Sequence, residues 1–77
     1  MNESELLNQL TKFLAAVPVK RLCRSYHVEP PDALGELYLR LFKLAIGKEI
    51  REQSAWVFHN GMGLLRNWLR REVRTLV

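Results

Sequence analysis

The chain has 77 residues, 48% of them apolar, and a net charge of +4. A chain this short buries only about 60% of the surface its unfolded form exposes, so its core must be dense in large side chains, with little room for an enclosed active site. These totals argue for one domain over residues 1–77 and against an enzyme. They also argue against an internal disulfide, since Cys23 stands alone, and against a membrane span, since no apolar run approaches 18 residues.

The first helix is expected from Glu3, with Asn2 as its cap and Glu5 reaching back to complete a capping box. Leu6, Leu7, Leu10, Phe13, Leu14 and Val17 follow at helical spacing. Pro18 either ends this helix or opens the next, where its missing N–H costs nothing. A second helix is expected from Val19 to His27, with Leu22, Cys23 and Tyr26 turned inward and Lys20, Arg21 and Arg24 along one side. Cys23 reads as a packed core thiol. Glu29-Pro30-Pro31 breaks the helix, because each proline moves the preceding residue away from helical angles.

A third helix is expected over 31–48, opened by Asp32. Leu34, Leu37, Tyr38, Leu41, Leu44 and Ala45 form its apolar stripe, widened by Phe42 and Ile46, and Gly47 can end it in a left-handed turn. Glu36 and Arg40 face away as an i,i+4 pair. The polar stretch 48–53 leads to a last helix, capped by Ser54 and running from Ala55 to about Arg74. Val57, Gly61, Leu64, Leu65, Trp68, Leu69 and Leu76 mark its buried side. Gly61 and Gly63 each cost about 1 kcal/mol there relative to Ala, and close helix approach is the ordinary reason for such residues. No strand alternation or repeat is present, so the fold class is all-α, a compact bundle of three to four helices.

Charge is unevenly placed. Residues 1–39 carry four basic and five acidic side chains; residues 40–77 carry eight and three. That asymmetry fits an anionic partner for the second half or, equally, a solvated face that aids solubility. Catalytic and metal chemistry find no constellation: His27 and His59 lie in separate helices, no His/Cys/Asp/Glu set has ligand spacing, and Gly61-Met62-Gly63 lacks the rest of a phosphate loop. No cofactor is expected. Arg66, Arg70 and Arg74 repeat at i, i+4 and i+8, with Asn67 and Arg71 beside them and Trp56, Phe58 and His59 upstream. Guanidinium forks match phosphate geometry, and neighbouring rings can stack unpaired bases. By spacing alone, a solvated arginine edge with Trp56 and Phe58 in the core is the slightly favoured account.

Two segments in order carry a family resemblance. Residues 32–42, D-A-L-G-E-L-Y-L-R-L-F, resemble the D-L-V-Q-E-V-F-L-R-L-W run of bacterial sigma factors. Residues 55–71, A-W-V-F-H-N-G-M-G-L-L-R-N-W-L-R-R, resemble T-W-L-Y-R-I-A-R-N-L-A-I-D-Y-L-R-R of the same conserved second region. The resemblance covers about residues 28 to 74. It implies that the first segment docks on the beta-prime clamp helices of bacterial core RNA polymerase through Asp32, Glu36 and Arg40. It implies that the second captures unstacked bases of the promoter minus-ten element through Trp56, His59, Arg66, Asn67, Arg70 and Arg71. Arg74 joins this set by spacing alone. Gly35 stands where the family has glutamine, Asn60 where it has an apolar residue and Gly63 where it has asparagine, so docking and promoter melting are both weakened by comparison. The sequence stops at Val77, before the helix-turn-helix domain that follows in the family, which points to a fragment or a free-standing relative.

The leading expectation is therefore a sigma-like transcription protein of the bacterial cytoplasm that binds core RNA polymerase, promoter DNA or both, acting as an accessory, divergent or truncated sigma, with another sigma or regulator protein as a further partner. The alternative is a helical protein–protein interaction module, homodimeric or otherwise, that keeps the fold without DNA binding. A third idea lays the basic helix on an anionic membrane surface.

Overall fold

The computed structural model describes the backbone of residues 1–76 and the side chains of residues 1–72. Four α-helices form in chain order, α1 (Glu3–Ala15), α2 (Val17–Ser25), α3 (Leu34–Ala45) and α4 (Gln53–Leu76), with a 3₁₀ turn at Pro30–Ala33 leading into α3. No strand occurs among the described residues, so the chain is an all-α bundle.

The start of α1 matches its sequence signals. The Asn2 side chain accepts from the Glu5 backbone N–H at 2.8 Å, and the Glu5 carboxylate accepts from the Asn2 N–H at 3.3 Å. Pro18 opens α2 rather than ending α1, so α2 begins at Val17, two residues earlier than expected. Ala16 alone makes the corner, with extended angles that close one helix and cap the next. Val17, read as part of the first apolar stripe, is consequently exposed, as is Leu7.

α2 ends at Ser25, before His27. The Val28 N–H donates to the Cys23 carbonyl and the His27 N–H to the Arg24 carbonyl, the paired bonds of a Schellman end. His27 occupies the left-handed position at φ 60°, where glycine is the usual resident. At the next element Pro30 and Pro31 produce a 3₁₀ turn, so α3 proper starts at Leu34 rather than at residue 31. Its other end stops at Ala45, and Gly47 supplies the expected left-handed turn at φ 75°. Ile46 swings outward as a result and does not widen the core stripe.

Ser54 is not the cap of α4. The helix begins at Gln53, the Trp56 N–H donates to the Glu52 carbonyl, and the Gln53 amide donates to the Glu5 carboxylate at 2.5 Å. This bond ties the start of α4 to the start of α1. The core between the helices is Leu6, Leu10, Phe13, Leu14, Val19, Cys23, Ala33, Leu37, Leu41, Val57, Leu65 and Leu69. α1 packs on both α3 and α4, which pack on each other, while α2 and the 3₁₀ turn also pack on α1. Burial pushes the Cys23 thiol above its ordinary pKa, as suits a core side chain.

Gly61 and Gly63 separate in meaning. A β-carbon at Gly61 would lie 3.1 Å from the Phe13 ring, so glycine lets α1 and α4 meet closely there. A β-carbon at Gly63 would meet nothing within 4 Å, and the close-approach reason fails for it. Leu76, expected on the buried side, lies outside the described side chains.

Two outcomes follow for stability. His27 is exposed, so His27→Gly removes backbone strain without losing packing and should raise stability by about 1 kcal/mol, or Tm by about 4–8 °C. An unchanged or lower melting temperature would contradict this. Hydrogen bonds from Gln53 and then from the Asn2 backbone hold the Glu5 carboxyl below its usual pKa. A depressed folded pKa means that the unfolded chain takes up the proton first as pH falls. Its stabilisation is therefore complete above the ordinary carboxylate range and is lost as pH drops through the folded value. Urea melts at neutral and acid pH should show a shallower acid loss for Glu5→Gln than for the parent chain; equal losses would sink the assignment.

Candidate nucleic-acid interface

α4 turns about 100° per residue, and its core contacts Val57, Gly61, Leu65 and Leu69 occupy one side. The opposite side carries Trp56, His59, Gly63, Arg66, Asn67 and Arg70 within an arc of about 100°, with Asn60 and Arg71 at its edge. His59, Arg66, Asn67, Arg70 and Arg71 are exposed. The one acidic residue of α4, Glu72, falls on the core side. Among the described residues neither Arg66 nor Arg70 has an ion-pair partner. The outer face of α4 is thus cationic over several turns, with no carboxylate of its own helix to neutralise it. The position of Arg74 continues the row, but its side chain lies outside the described residues.

The aromatic residues upstream divide. Phe58 packs edge-on against Phe13, ring centroids 5.4 Å apart and planes at 83°, which takes it to the α1 side and away from the arginines. Trp56 is half-buried against the core and keeps part of its ring at the surface. Asn60 is also half-buried, and its amide donates back to the Trp56 carbonyl at 2.9 Å. His59 stands exposed on the arginine side. One half-buried ring and one imidazole therefore remain on this side of α4, upstream of the basic row.

Asp32 is exposed in the 3₁₀ turn, and Glu36 lies in the first turn of α3. The Glu36 carboxylate accepts from Arg40 Nε at 2.6 Å, and Arg71 approaches it at 3.8 Å from α4. Exposed pairs contribute at most about 1 kcal/mol each, so their consequence is orientation more than stability. They draw together the two residue sets that the sequence kept apart. Arg40 of α3 shares a groove of about 480 Å³ with Leu64, Asn67, Arg70 and Arg71 of α4. Arg40 consequently belongs to the basic surface as much as to the α3 face.

A neighbouring groove of about 380 Å³ is lined by Glu36, Leu39, Arg40, Lys43, Leu44 and Leu64. Leu39 in its lining is 58% exposed, and sequence reading passed over it. The signal was there: Leu39 falls well away from the stripe set by Leu37, Leu41 and Ala45, among charged residues. Among the described residues no group of three His, Cys, Asp or Glu could hold a metal ion, and no helix is long and apolar enough to cross a membrane. No family model, no curated protein and no solved structure matches the chain.

Proposed function

We propose that the chain is a non-enzymatic transcription module of sigma-factor type, which binds core bacterial RNA polymerase through α3 and unpaired promoter DNA through α4. The observation that carries the DNA half is the outer face of α4, where His59, Arg66, Asn67 and Arg70 are exposed along one side, with half-buried Trp56 upstream and no acidic residue of the same helix among them. An arginine row with no carboxylate of its own helix attracts the phosphate backbone, and an aromatic ring on the same side gives a base a surface to stack on. The polymerase half rests on the resemblance of residues 32–42 and on exposed Leu39, set among Glu36, Arg40 and Lys43. An apolar centre with a polar rim is the common build of a protein contact, and Leu39 with Leu44 among these charges has that form.

A second reading is favoured by the exposure of Leu39, Leu44 and Ile46 on and just beyond α3. These residues suit a protein–protein interaction module that binds another protein, or a second copy, without touching DNA.

Capture of core bacterial RNA polymerase on the immobilised chain tests the proposal. The parent chain should retain polymerase, Leu39→Glu should weaken retention by about ten-fold or more, and Arg66→Ala/Arg70→Ala should leave it intact. A folded parent chain that retains no polymerase but self-associates in light scattering would replace this reading with the second.

A further inference from the structure

One groove shares no residue with the surface around Arg40. It runs between the end of α1, α2 and the 3₁₀ turn, and holds about 340 Å³. Buried Leu14 and Pro30 and half-buried Leu34 give it an apolar floor. Lys20 and Arg24 line it from α2, and Glu29 lines it from the residue before the turn. No residue of α4 takes part in the lining. The groove is thus separate from the arginine row and independent of how that row is read.

Lys20 and Arg24 are one helical turn apart, so both cations lie along the same edge of α2. Like charges at this spacing repel one another, and α2 has no acidic residue to relieve them. Among the described residues neither cation has an ion-pair or side-chain hydrogen-bond partner, although Glu29 lines the same groove.

We propose that this groove binds a small amphipathic carboxylate. Its apolar body lies on Leu14, Pro30 and Leu34, and its head group lies between Lys20 and Arg24. The volume falls in the range of small-ligand sites, about 300–1,000 Å³. Charge selects the occupant. A neutral apolar molecule leaves the two cations unrelieved, whereas one carboxylate meets both in charge-assisted hydrogen bonds. Glu29 disfavours a polyanion, which keeps a nucleic-acid strand out of this groove. A bound molecule bridges α1, α2 and the turn that carries Asp32, and so steadies the entry to α3.

The experiment is a titration of the whole chain with octanoate, followed by backbone amide shifts and by melting temperature. Octanoate should bind saturably, shift the amides of Ala15, Lys20, Arg24 and Leu34, and raise the melting temperature. Acetate has the head group without the apolar body, and should bind about ten-fold more weakly or worse. Lys20→Gln/Arg24→Gln should weaken octanoate by about ten-fold, while Glu29→Gln should tighten it by about two-fold. Arg66→Ala/Arg70→Ala should leave octanoate binding unchanged. Circular dichroism checks that each variant keeps its helices. Shifts that never saturate, or that centre on Arg66 and Arg70, would overturn the site. Undiminished octanoate affinity in a folded Lys20→Gln/Arg24→Gln chain would do the same.

Discussion

Phe13 lies across α4 at Gly61, and that contact fixes how α4 is turned about its own axis. The ring would stand 3.1 Å from a β-carbon at Gly61, and its edge-on neighbour is Phe58 of the same helix, 5.4 Å away. A long amphipathic helix can roll by a few tens of degrees on a smooth apolar surface. A ring seated on bare backbone and held against a second ring removes that freedom. Val57, Leu65 and Leu69 then face inward, and Trp56, His59, Arg66, Asn67 and Arg70 face out. At the start of the helix, the Gln53–Glu5 hydrogen bond pins α4 to α1. The presentation of the basic face therefore depends on α1, which carries none of its residues.

The same arrangement puts two kinds of surface on adjacent helices. α4 offers cations and hydrogen-bonding groups, while α3 offers Leu39 among charges. Glu36 stands at their junction, bonded to Arg40 and approached by Arg71. Its carboxylate offsets part of the positive charge beside the groove, while neither Arg66 nor Arg70 has an acidic partner among the described residues. A protein docking on α3 through Glu36 or Arg40 would alter the field felt by an anion at Arg70 and Arg71, since all line one connected surface. In the proposed function, binding of the two partners would be linked through this junction.

Most of the fold was legible because apolar spacing and capping chemistry are local. Asn2 with Glu5, Leu37, Leu41 and Ala45 of the α3 stripe, the Gly47 turn and Val57, Gly61, Leu65 and Leu69 of α4 all follow from residues a few positions apart, whereas Leu44, expected in the α3 stripe, is exposed. The errors fall where an element end depends on residues distant in the chain or on competing local signals. Ser54 is a good cap by type, yet α4 starts at Gln53, where a bond to Glu5, 48 residues away in sequence, holds it. His27 reads as helical by composition and instead takes a left-handed angle that its side chain does not favour. In the candidate site, the alignment of Arg66, Asn67 and Arg70 was readable from helical spacing, while Trp56 and His59 read only as upstream of it and joined the site through the family resemblance. The departure of Phe58 toward Phe13, the meeting of Arg40 with Arg70 and the emptiness around Gly63 required three dimensions.

The salt dependence of oligothymidine binding is the decisive measurement for a phosphate backbone held on the outer face of α4. Two phosphates held by Arg66 and Arg70 should give a log–log slope of about −1.4 or steeper, at about 0.7 per phosphate on a single strand. Arg66→Ala/Arg70→Ala should flatten the slope by about that amount. No binding at low salt by the folded chain, or a slope that the double substitution leaves unchanged, would contradict the account.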